Sequence, residues 1–484
     1  MGCRQIWIAV VLAVAPACGG QVLLGPEAEA DEDGDVEADG APDGDVDAPA
    51  DAGADADSDA DRVDGTGTTW ARTYGMNRSW APVGAAIAID AAGVAVTAGN
   101  GLLRIDLHGD PLWDCRYNAD PITAIAAADG GWTAAGLIHG IWTDGEELAI
   151  ERLGADGSVA WARSYASEVP TYNKSIRFVV PAAAGGAFLG GFTDSADFGM
   201  DNIWLLDVAP SGEVVWSRAW GADGYDRAFG ATDSGDGGLL LVGSTDSFNP
   251  PFGFDYTDPL VLRLAADGTT VWIRRLAGTV RGRLHAARPT PDHGFLVGGS
   301  MYAATPSGTD VLLAKLTADG ELEWARTFGS PGEDVAVDLE PAGDGDWVVA
   351  ALTDGLGAGG RDFWILRLDA DGAVEWQRTY GGLEHDEIGS LLVLPDGGLL
   401  LAGTTGSYPA GGGGVWVLRT DAAGDIALDC PAGMIEVPVV EAGTARLTAE
   451  DVVFEVRELP VDTTVLTRPG IEARGSTFDE QCGR

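Results

Sequence analysis

The sequence is dominated by a repeated motif in which a tryptophan is followed two residues later by an arginine and, two residues after that, by an aromatic residue. Clear copies begin at Trp70, Trp161, Trp216, Trp324 and Trp376, and degenerate copies at Trp113 and Trp272. Successive copies are 43 to 56 residues apart, and one further interval of 52 residues reaches a tryptophan-less copy at Leu428. A period of this length indicates tandem supersecondary units that bury their apolar faces only against their neighbours. Seven intervals predict seven repeats.

Each repeat contains four apolar segments separated by turn residues, most clearly from Asp334 to Gly381. Asp-Gly pairs such as Asp371-Gly372 separate the last two segments, and they favour tight hairpins because both central residues of a type I′ turn need positive φ. An Asp-Gly-Gly turn, as at 396–398, precedes the second segment. Four antiparallel strands without helical periodicity are typical of a propeller blade. We therefore predict an all-β, seven-bladed β-propeller of four-stranded antiparallel blades over residues 68–430.

The ends of the repeat array predict how the ring closes. Residues 68–75 are predicted to form an outer strand with no inner strands before it, so we expect the chain's first strand to complete the last blade and remove an open edge. The tryptophans are predicted to fill the wedges between blades, each burying roughly 150 to 250 Å². The arginines that follow them are expected to pair with the aspartate of a G-x-x-x-x-D motif, as in Gly221–Asp226. The alternative is a ring of these aspartates that collects a cation in the central channel.

Charge excludes one class of partner. The 484-residue chain has a formal net charge of -46, and its only lysines are Lys174 and Lys315. A nucleic-acid-binding protein needs a basic patch to displace phosphate counterions, so we expect no nucleic-acid partner. Direct adsorption to anionic lipid headgroups is disfavoured for the same reason.

The first residues resemble a bacterial lipoprotein signal. Arg4 gives a positive start, 6–15 is an apolar run too short to span a bilayer, and small residues precede Cys18. We predict a signal peptide over 1–17 and lipidation of Cys18, which would place the exported protein on the outer membrane or cell surface with the lipid as its membrane contact. The alternatives are simple cleavage and an uncleaved leader.

Residues 18–67 are predicted to be a disordered acidic stalk. From Glu27 to Asp64 there are seventeen acidic residues and one basic residue, Arg62. Such a segment buries little apolar surface, and its like charges repel one another. The run Asp55-x-Asp57-x-Asp59 resembles the start of an EF-hand loop, but the turn glycine and the closing Glu are missing. No cofactor is predicted, and Ca²⁺ is the one ion kept open.

After Cys430 the repeat stops. Residues 431–484 keep β-prone runs without tryptophan or turn pairs, and they are predicted to form a short C-terminal β-rich appendage. Cys430 and Cys482 bracket this segment, and in an exported chain a disulfide between them would attach it to the last blade. Cys115 would then stay unpaired.

The repeat blocks resemble a known family. W-x-R-T-[YF]-G, the DGG turn, G-[ST]-T-x-S and D-F-W-[IV]-L-[RK]-L-D-x-x-G-x-x-x-W are similar to those of Trp-rich repeat β-propeller lipoproteins on bacterial and archaeal cell surfaces, and two blocks are nearly intact in Asp362–Gly381. The resemblance covers Trp70 to Cys430 and implies a fold and a location, with little chemistry. A more distant resemblance is to quinoprotein-type propellers, which include quinone-dependent dehydrogenases and a non-catalytic assembly lipoprotein.

Signatures of enzymes are scarce. No G-x-S-x-G, H-E-x-x-H, C-x-x-C or P-loop motif occurs. Residues 355–360 match G-x-G-x-x-G, but they lie between antiparallel strands with no helix after them, so a dinucleotide site is not predicted. The alternative function is a metal- or quinone-dependent periplasmic or surface enzyme with its site at the central channel.

The segments between second and third strands vary most in length, and all of them should emerge on one rim of the propeller. Binding residues are concentrated on such loops of a rigid scaffold. The cluster Phe248, Phe252, Phe254 and Tyr256 is the best candidate for contact with a protein or polysaccharide partner, the alternative being a loop that packs its own aromatics. We expect a monomeric binding or scaffold module.

Overall fold

The computed structural model describes the chain between residues 69 and 482, in segments. These are 69–75, 86–90, 93–98, 101–117, 122–128, 131–139, 146–167, 174–182, 185–194, 200–248, 257–278, 281–302, 308–343, 345–408, 414–426, 435–436, 443–444, 447–452, 455–458, 461–465, 471–472 and 477–482. Residues 1–68, which include Cys18 and the acidic segment, lie outside the described residues, so the predictions made for them stay predictions.

The described strands form seven blades, numbered here in chain order and written from the innermost strand outwards. Blade 1 is β2 (Ile87–Asp90), β3 (Gly93–Ala98), β4 (Gly101–Ile105) and β5 (Pro111–Tyr117). Blade 2 is β6 (Ile122–Ala128), β7 (Gly131–His139), β8 (Glu146–Gly154) and β9 (Val159–Ser167). Blade 3 is β10 (Lys174–Pro181), β11 (Ala187–Thr193), β12 (Asn202–Val208) and β13 (Val214–Gly221). Blade 4 is β14 (Asp226–Asp233), β15 (Leu239–Thr245), β16 (Asp258–Leu264) and β17 (Thr270–Gly278).

The remaining blades follow the same plan. Blade 5 is β18 (Gly282–Pro289), β19 (Phe295–Tyr302), β20 (Thr309–Leu316) and β21 (Leu322–Phe328). Blade 6 is β22 (Asp334–Pro341), β23 (Trp347–Thr353), β24 (Asp362–Leu368) and β25 (Val374–Tyr380). Blade 7 is β26 (Asp386–Val393), β27 (Leu399–Thr405), β28 (Gly414–Thr420) and the chain's first strand, β1 (Trp70–Gly75). The predicted all-β, seven-bladed propeller of four-stranded antiparallel blades is confirmed.

The apolar core is divided among the interfaces between blades. Most buried apolar residues of the described chain belong to seven clusters, and each cluster joins residues of two neighbouring blades, including blades 7 and 1. Central strands such as β15 are buried along their whole length because another blade covers each of their faces. Continuous apolar runs such as Leu239–Val242 therefore belong to these middle strands, where both faces need apolar side chains.

The ring closes as the sequence predicts. β1 pairs antiparallel with β28, with Trp70 opposite Arg419 and Tyr74 opposite Val415. The outer strand of blade 7 thus comes from the opposite end of the repeat array. Closure by this strand leaves the four-stranded pattern complete in every blade.

The C-terminal segment adds a fifth strand to every blade. Its seven short strands are β29 (Ile435–Glu436), β30 (Gly443–Thr444), β31 (Leu447–Asp451), β32 (Glu455–Glu458), β33 (Val461–Val465), β34 (Ile471–Glu472) and β35 (Thr477–Cys482). In this order they pair with the outer strands of blades 6, 5, 4, 3, 2, 1 and 7. We call this segment the belt, because it runs round the whole ring in the direction opposite to the repeats.

The belt differs from the separate appendage expected from the sequence. The segment is β-rich as predicted, but its strands pair with outer strands of the blades instead of with one another. For this reason it needs no hairpin turns and no wedge-filling tryptophan. Cys482 lies opposite Ala71 on the edge of blade 7, whereas Cys430 falls outside the described residues, so the Cys430–Cys482 disulfide remains a prediction.

Candidate functional site

The tryptophan motif fastens each blade to the next. The indole N–H of Trp70 donates to the carbonyl of Leu107 at 3.3 Å, and Trp161 donates to the carbonyl of Pro210 at 2.9 Å. Both acceptors lie in the turn between the third and fourth strands of the following blade. The predicted position of these tryptophans in the wedges between blades is confirmed.

The arginine of the motif serves the same interface. The Arg218 guanidinium lies over the ring of Trp216, 4.9 Å from its centroid, and donates to the carbonyl of Asp267 in the next blade's turn at 2.8 Å. Arg72 pairs with Asp110 in the corresponding turn across the closing interface, at 2.7 Å. The predicted ion pair between these arginines and the G-x-x-x-x-D aspartates is therefore wrong.

Those aspartates are bound by hydroxyl groups instead. Asp226, fully buried at the start of β14, accepts hydrogen bonds from Thr245 at 2.5 Å and Ser247 at 2.8 Å. Asp386 accepts bonds from Thr405 and Ser407 in the same arrangement. The G-[ST]-T-x-S motif thus supplies the donors for the aspartate of its own blade. Within the described segments no three side chains of His, Cys, Asp or Glu converge as metal ligands.

The ring has two rims, and they differ in how closely their connections repeat from blade to blade. Turns between first and second strands and between third and fourth strands lie on one side, which we call the turn rim. The turn that follows the third strand carries a positive-φ glycine in every blade: Gly109, Gly157, Gly212, Gly268, Gly320, Gly372 and, in blade 7, where the chain continues to the belt, Gly424. The opposite side, the loop rim, carries the variable segments between second and third strands and the connections between blades.

The loop rim contains the predicted aromatic cluster. Phe248 is half-buried, packs against the core between blades 3 and 4, and has the Arg275 guanidinium over its ring at 5.6 Å. Phe252, Phe254 and Tyr256 lie outside the described residues, so their role in partner binding stays a prediction.

A second feature of the loop rim is an exposed apolar side chain that the repeat pattern does not mark. Leu383, in the connection between β25 and β26, is 81% exposed, the most exposed of the large hydrophobic side chains in the described chain. It lies next to the glycine-rich loop at 355–360, since a Cβ added at Gly359 would lie 2.5 Å from the Leu383 Cα. The backbone of that loop is bonded within blade 6, since the amide N–H of Ala358 donates to the carboxylate of Asp362 at the start of β24, at 2.8 Å.

The central channel is lined by the innermost strands, whose side chains alternate between buried and partly exposed. Most of these strands carry a β-bulge at one equivalent position. The bulged residues are Thr123, Arg177, Phe229, His285, Val337 and Gly389. Each innermost strand pairs on one side only, so its partly exposed residues face the channel.

One side of the channel combines arginines with aromatic rings. The guanidiniums of Arg177 and Arg227 lie 5.4 Å and 4.7 Å from the ring centroid of Phe192. Phe192 contacts Phe229 with 6.2 Å between centroids, and Phe229 packs against His285 at 5.3 Å. We call Arg177, Arg227, Phe192, Phe229 and His285 the channel cluster.

Electrostatics distinguish the two arginines. Arg227 is neutralised by Asp201, a buried carboxylate whose Oδ2 accepts its Nε–H at 2.6 Å. The channel walls surround Arg177 although its side chain keeps contact with solvent, and this partial desolvation lowers its pKa, with a further lowering by the Arg227 charge. Burial also lowers the pKa of His285 to about 4, with smaller effects of Arg283 and Arg177, so this imidazole is neutral at pH 7.

Sequence reasoning missed the channel cluster because its residues differ from blade to blade. The sequence offered only the position of these residues within the repeat. The bulged residue lies three positions after the first residue of the inner strand, as Phe229 lies three positions after Asp226. Aligning the repeats on that position would have placed Arg177, Phe229 and His285 in one ring. Their residue types match no motif.

Comparison with solved structures gives distant matches. The Pan2 WD40 domain of Neurospora crassa is 10% identical with a TM-score of 0.43, covering 70% of this chain and 89% of that domain. The polysaccharide lyase Uly1 is 12% identical with a TM-score of 0.44, covering 72% of this chain and 92% of the lyase. A protein of unknown function from Bacteroides caccae is 12% identical with a TM-score of 0.32, covering 64% of this chain and 93% of that protein. No protein-family model and no curated protein matches the sequence.

The described residues contain no helix with the length and hydropathy of a membrane span.

Proposed function

We propose that this protein is a binding or scaffold module of the cell envelope that holds a protein or polysaccharide partner on its loop rim. The contrast between the two rims carries the proposal. The four-stranded sheets and the glycine turns of the turn rim repeat in all seven blades, whereas the connections of the loop rim differ in length from blade to blade, and one of them presents the exposed Leu383. A rigid scaffold with variable segments on one side is the usual arrangement of a binding surface.

The sequence supports the envelope location in this proposal. The resemblance to Trp-rich surface lipoproteins and the signal before Cys18 favour export and a lipid anchor at Cys18. A lipid at that position would tether the propeller through the acidic segment and leave the loop rim free. Replacement of Cys18 by Ser should release the protein from membranes, and continued membrane association of this variant would contradict lipidation.

Partner binding is tested by comparing the two rims. Immobilised protein would be incubated separately with protein and polysaccharide fractions of the envelope, and the retained material quantified. We expect Leu383→Ser and Phe252→Ala/Tyr256→Ala to retain less than the wild type. Val271→Ser, which alters a half-exposed side chain on the outer strand of blade 4, should retain as much as the wild type. Equal retention by all variants would remove the loop-rim proposal.

A further inference from the structure

The channel cluster has a composition that is unusual for this chain. The protein has a formal net charge of -46, with 29 basic residues against 75 acidic ones. Even so, Arg177, Arg227 and Arg283 lie on the innermost strands of three consecutive blades. The charges of Arg177 and Arg227 interact with one another, so a nearby anionic group would stabilise this side of the channel.

Arg227 already has such a neighbour in Asp201, but Arg177 is placed differently. Its two neighbours along β10, Ile176 and Phe178, are buried in the cores between blades, while the Arg177 side chain is exposed. Among the described residues it lies over the Phe192 ring and interacts with the charge of Arg227. An arginine held against an aromatic ring keeps its N–H donors directed outwards, available to an oxyanion.

The partly exposed rings of Phe229 and His285 continue the surface beside this arginine. They offer a flat aromatic wall next to a cation, and a cleft with low-dielectric walls strengthens the attraction of a charge for its counterion. We propose that Arg177, Phe229 and His285 form a binding site in the central channel for a small organic anion, a carboxylate attached to a planar apolar body.

Benzoate is a suitable probe, with benzyl alcohol as its uncharged counterpart. Titration calorimetry should show saturable benzoate binding to the wild type and binding of benzyl alcohol weaker by about tenfold or more, since one charged hydrogen-bonding group accounts for a difference of this order. Arg177→Gln should weaken benzoate binding by about tenfold and leave the thermal midpoint unchanged, because the side chain is exposed. Phe229→Leu, which keeps an apolar side chain, should weaken benzoate binding by a smaller factor than Arg177→Gln does.

Arg367→Gln is the matched control. It removes the same charge from β24, where the side chain pairs with Asp346 and Glu375 away from the channel. Benzoate should also shift the imidazole NMR signal that His285→Gln removes. Absence of saturable benzoate binding, equal affinity in the wild type and Arg177→Gln, or equal weakening by Arg367→Gln would overturn the proposal. Partner retention on the loop rim should be unaffected by Arg177→Gln, so the two proposals fail independently.

Discussion

At the scale of single residues, Asp362 lies at the start of β24 with its carboxylate buried against Gly381. A Cβ at Gly381 would lie 1.7 Å from Asp362 Oδ1, and this oxygen has no hydrogen-bond partner among the described residues. Burial, and then the nearby Asp386 charge, raise the pKa of Asp362 to about 6. Asn202 occupies the equivalent position in blade 3, beside Gly221. A neutral side chain is therefore compatible with this position.

The pH dependence follows from the direction of the shift. A carboxyl whose pKa is raised on folding binds a proton more tightly in the folded state, so its contribution lowers stability as pH rises from about 4 to about 6. We expect Asp362→Asn to stabilise the protein by about 1 to 3 kcal/mol at pH 7.5 and to have little effect at pH 4. Urea unfolding at both pH values measures this. The reverse change, Asn202→Asp, should destabilise the protein at pH 7.5. If Asp362→Asn instead lowers the free energy of unfolding at pH 7.5, the carboxylate of Asp362 is not destabilising the folded protein.

At the scale of elements, the outer strand of each blade makes repeated contacts with the next blade's turn. The hydroxyl groups of Tyr74, Tyr165 and Tyr380 donate to the carbonyls of Gly109, Gly212 and Gly424 at 2.6, 2.7 and 2.5 Å. Burial raises the pKa of all three tyrosines, so they remain neutral donors at physiological pH. Blade 5 has Phe328 at this position, so the ring alone is compatible with the fold.

Replacing each tyrosine by phenylalanine should cost about 1 kcal/mol in the free energy of unfolding, because a buried carbonyl loses its donor. The three sites belong to different interfaces, so the costs should add in the triple variant. Chemical denaturation of the single and triple variants measures both. Tyr74→Phe tests the closing interface directly, and a cost near zero there with normal costs elsewhere would show that β1 seals the ring weakly.

The same elements show what sequence reasoning can and cannot reach. Blades were predictable because each one carries its own turns, such as Asp371-Gly372, and all seven carry a tryptophan in the outer strand. The hydrogen-bond partners of Asp226 were not predictable, because Thr245 and Ser247 lie beside it only when the strands are paired in register. The belt was hidden for another reason. β29 and β30 have two residues each, and their pairing depends on edges contributed by distant parts of the chain.

At the scale of the whole molecule, the belt covers the outer edge of every blade. Unpaired edge strands are templates for pairing with other chains, and a propeller of four-stranded blades exposes one such edge per blade. A side-chain contact reinforces the pairing, since Arg275 in β17 donates to Glu450 in β31 at 2.5 Å. Each belt strand pairs with the outer strand of a blade, so the belt's pairing depends on the edges that the blades supply.

Deletion of residues 431–484 should therefore leave a folded ring with open edges. We expect a lower thermal midpoint and association that increases with protein concentration, because each blade's outer strand regains unpaired backbone groups. Calorimetry and light scattering after size-exclusion chromatography measure the two effects. Glu450→Gln, which alters one belt contact and keeps the backbone pairing, serves as the control and should behave as the full-length wild type does in light scattering. A truncated protein that is monomeric and as stable as the full chain would show that the belt does not protect the edges of the ring.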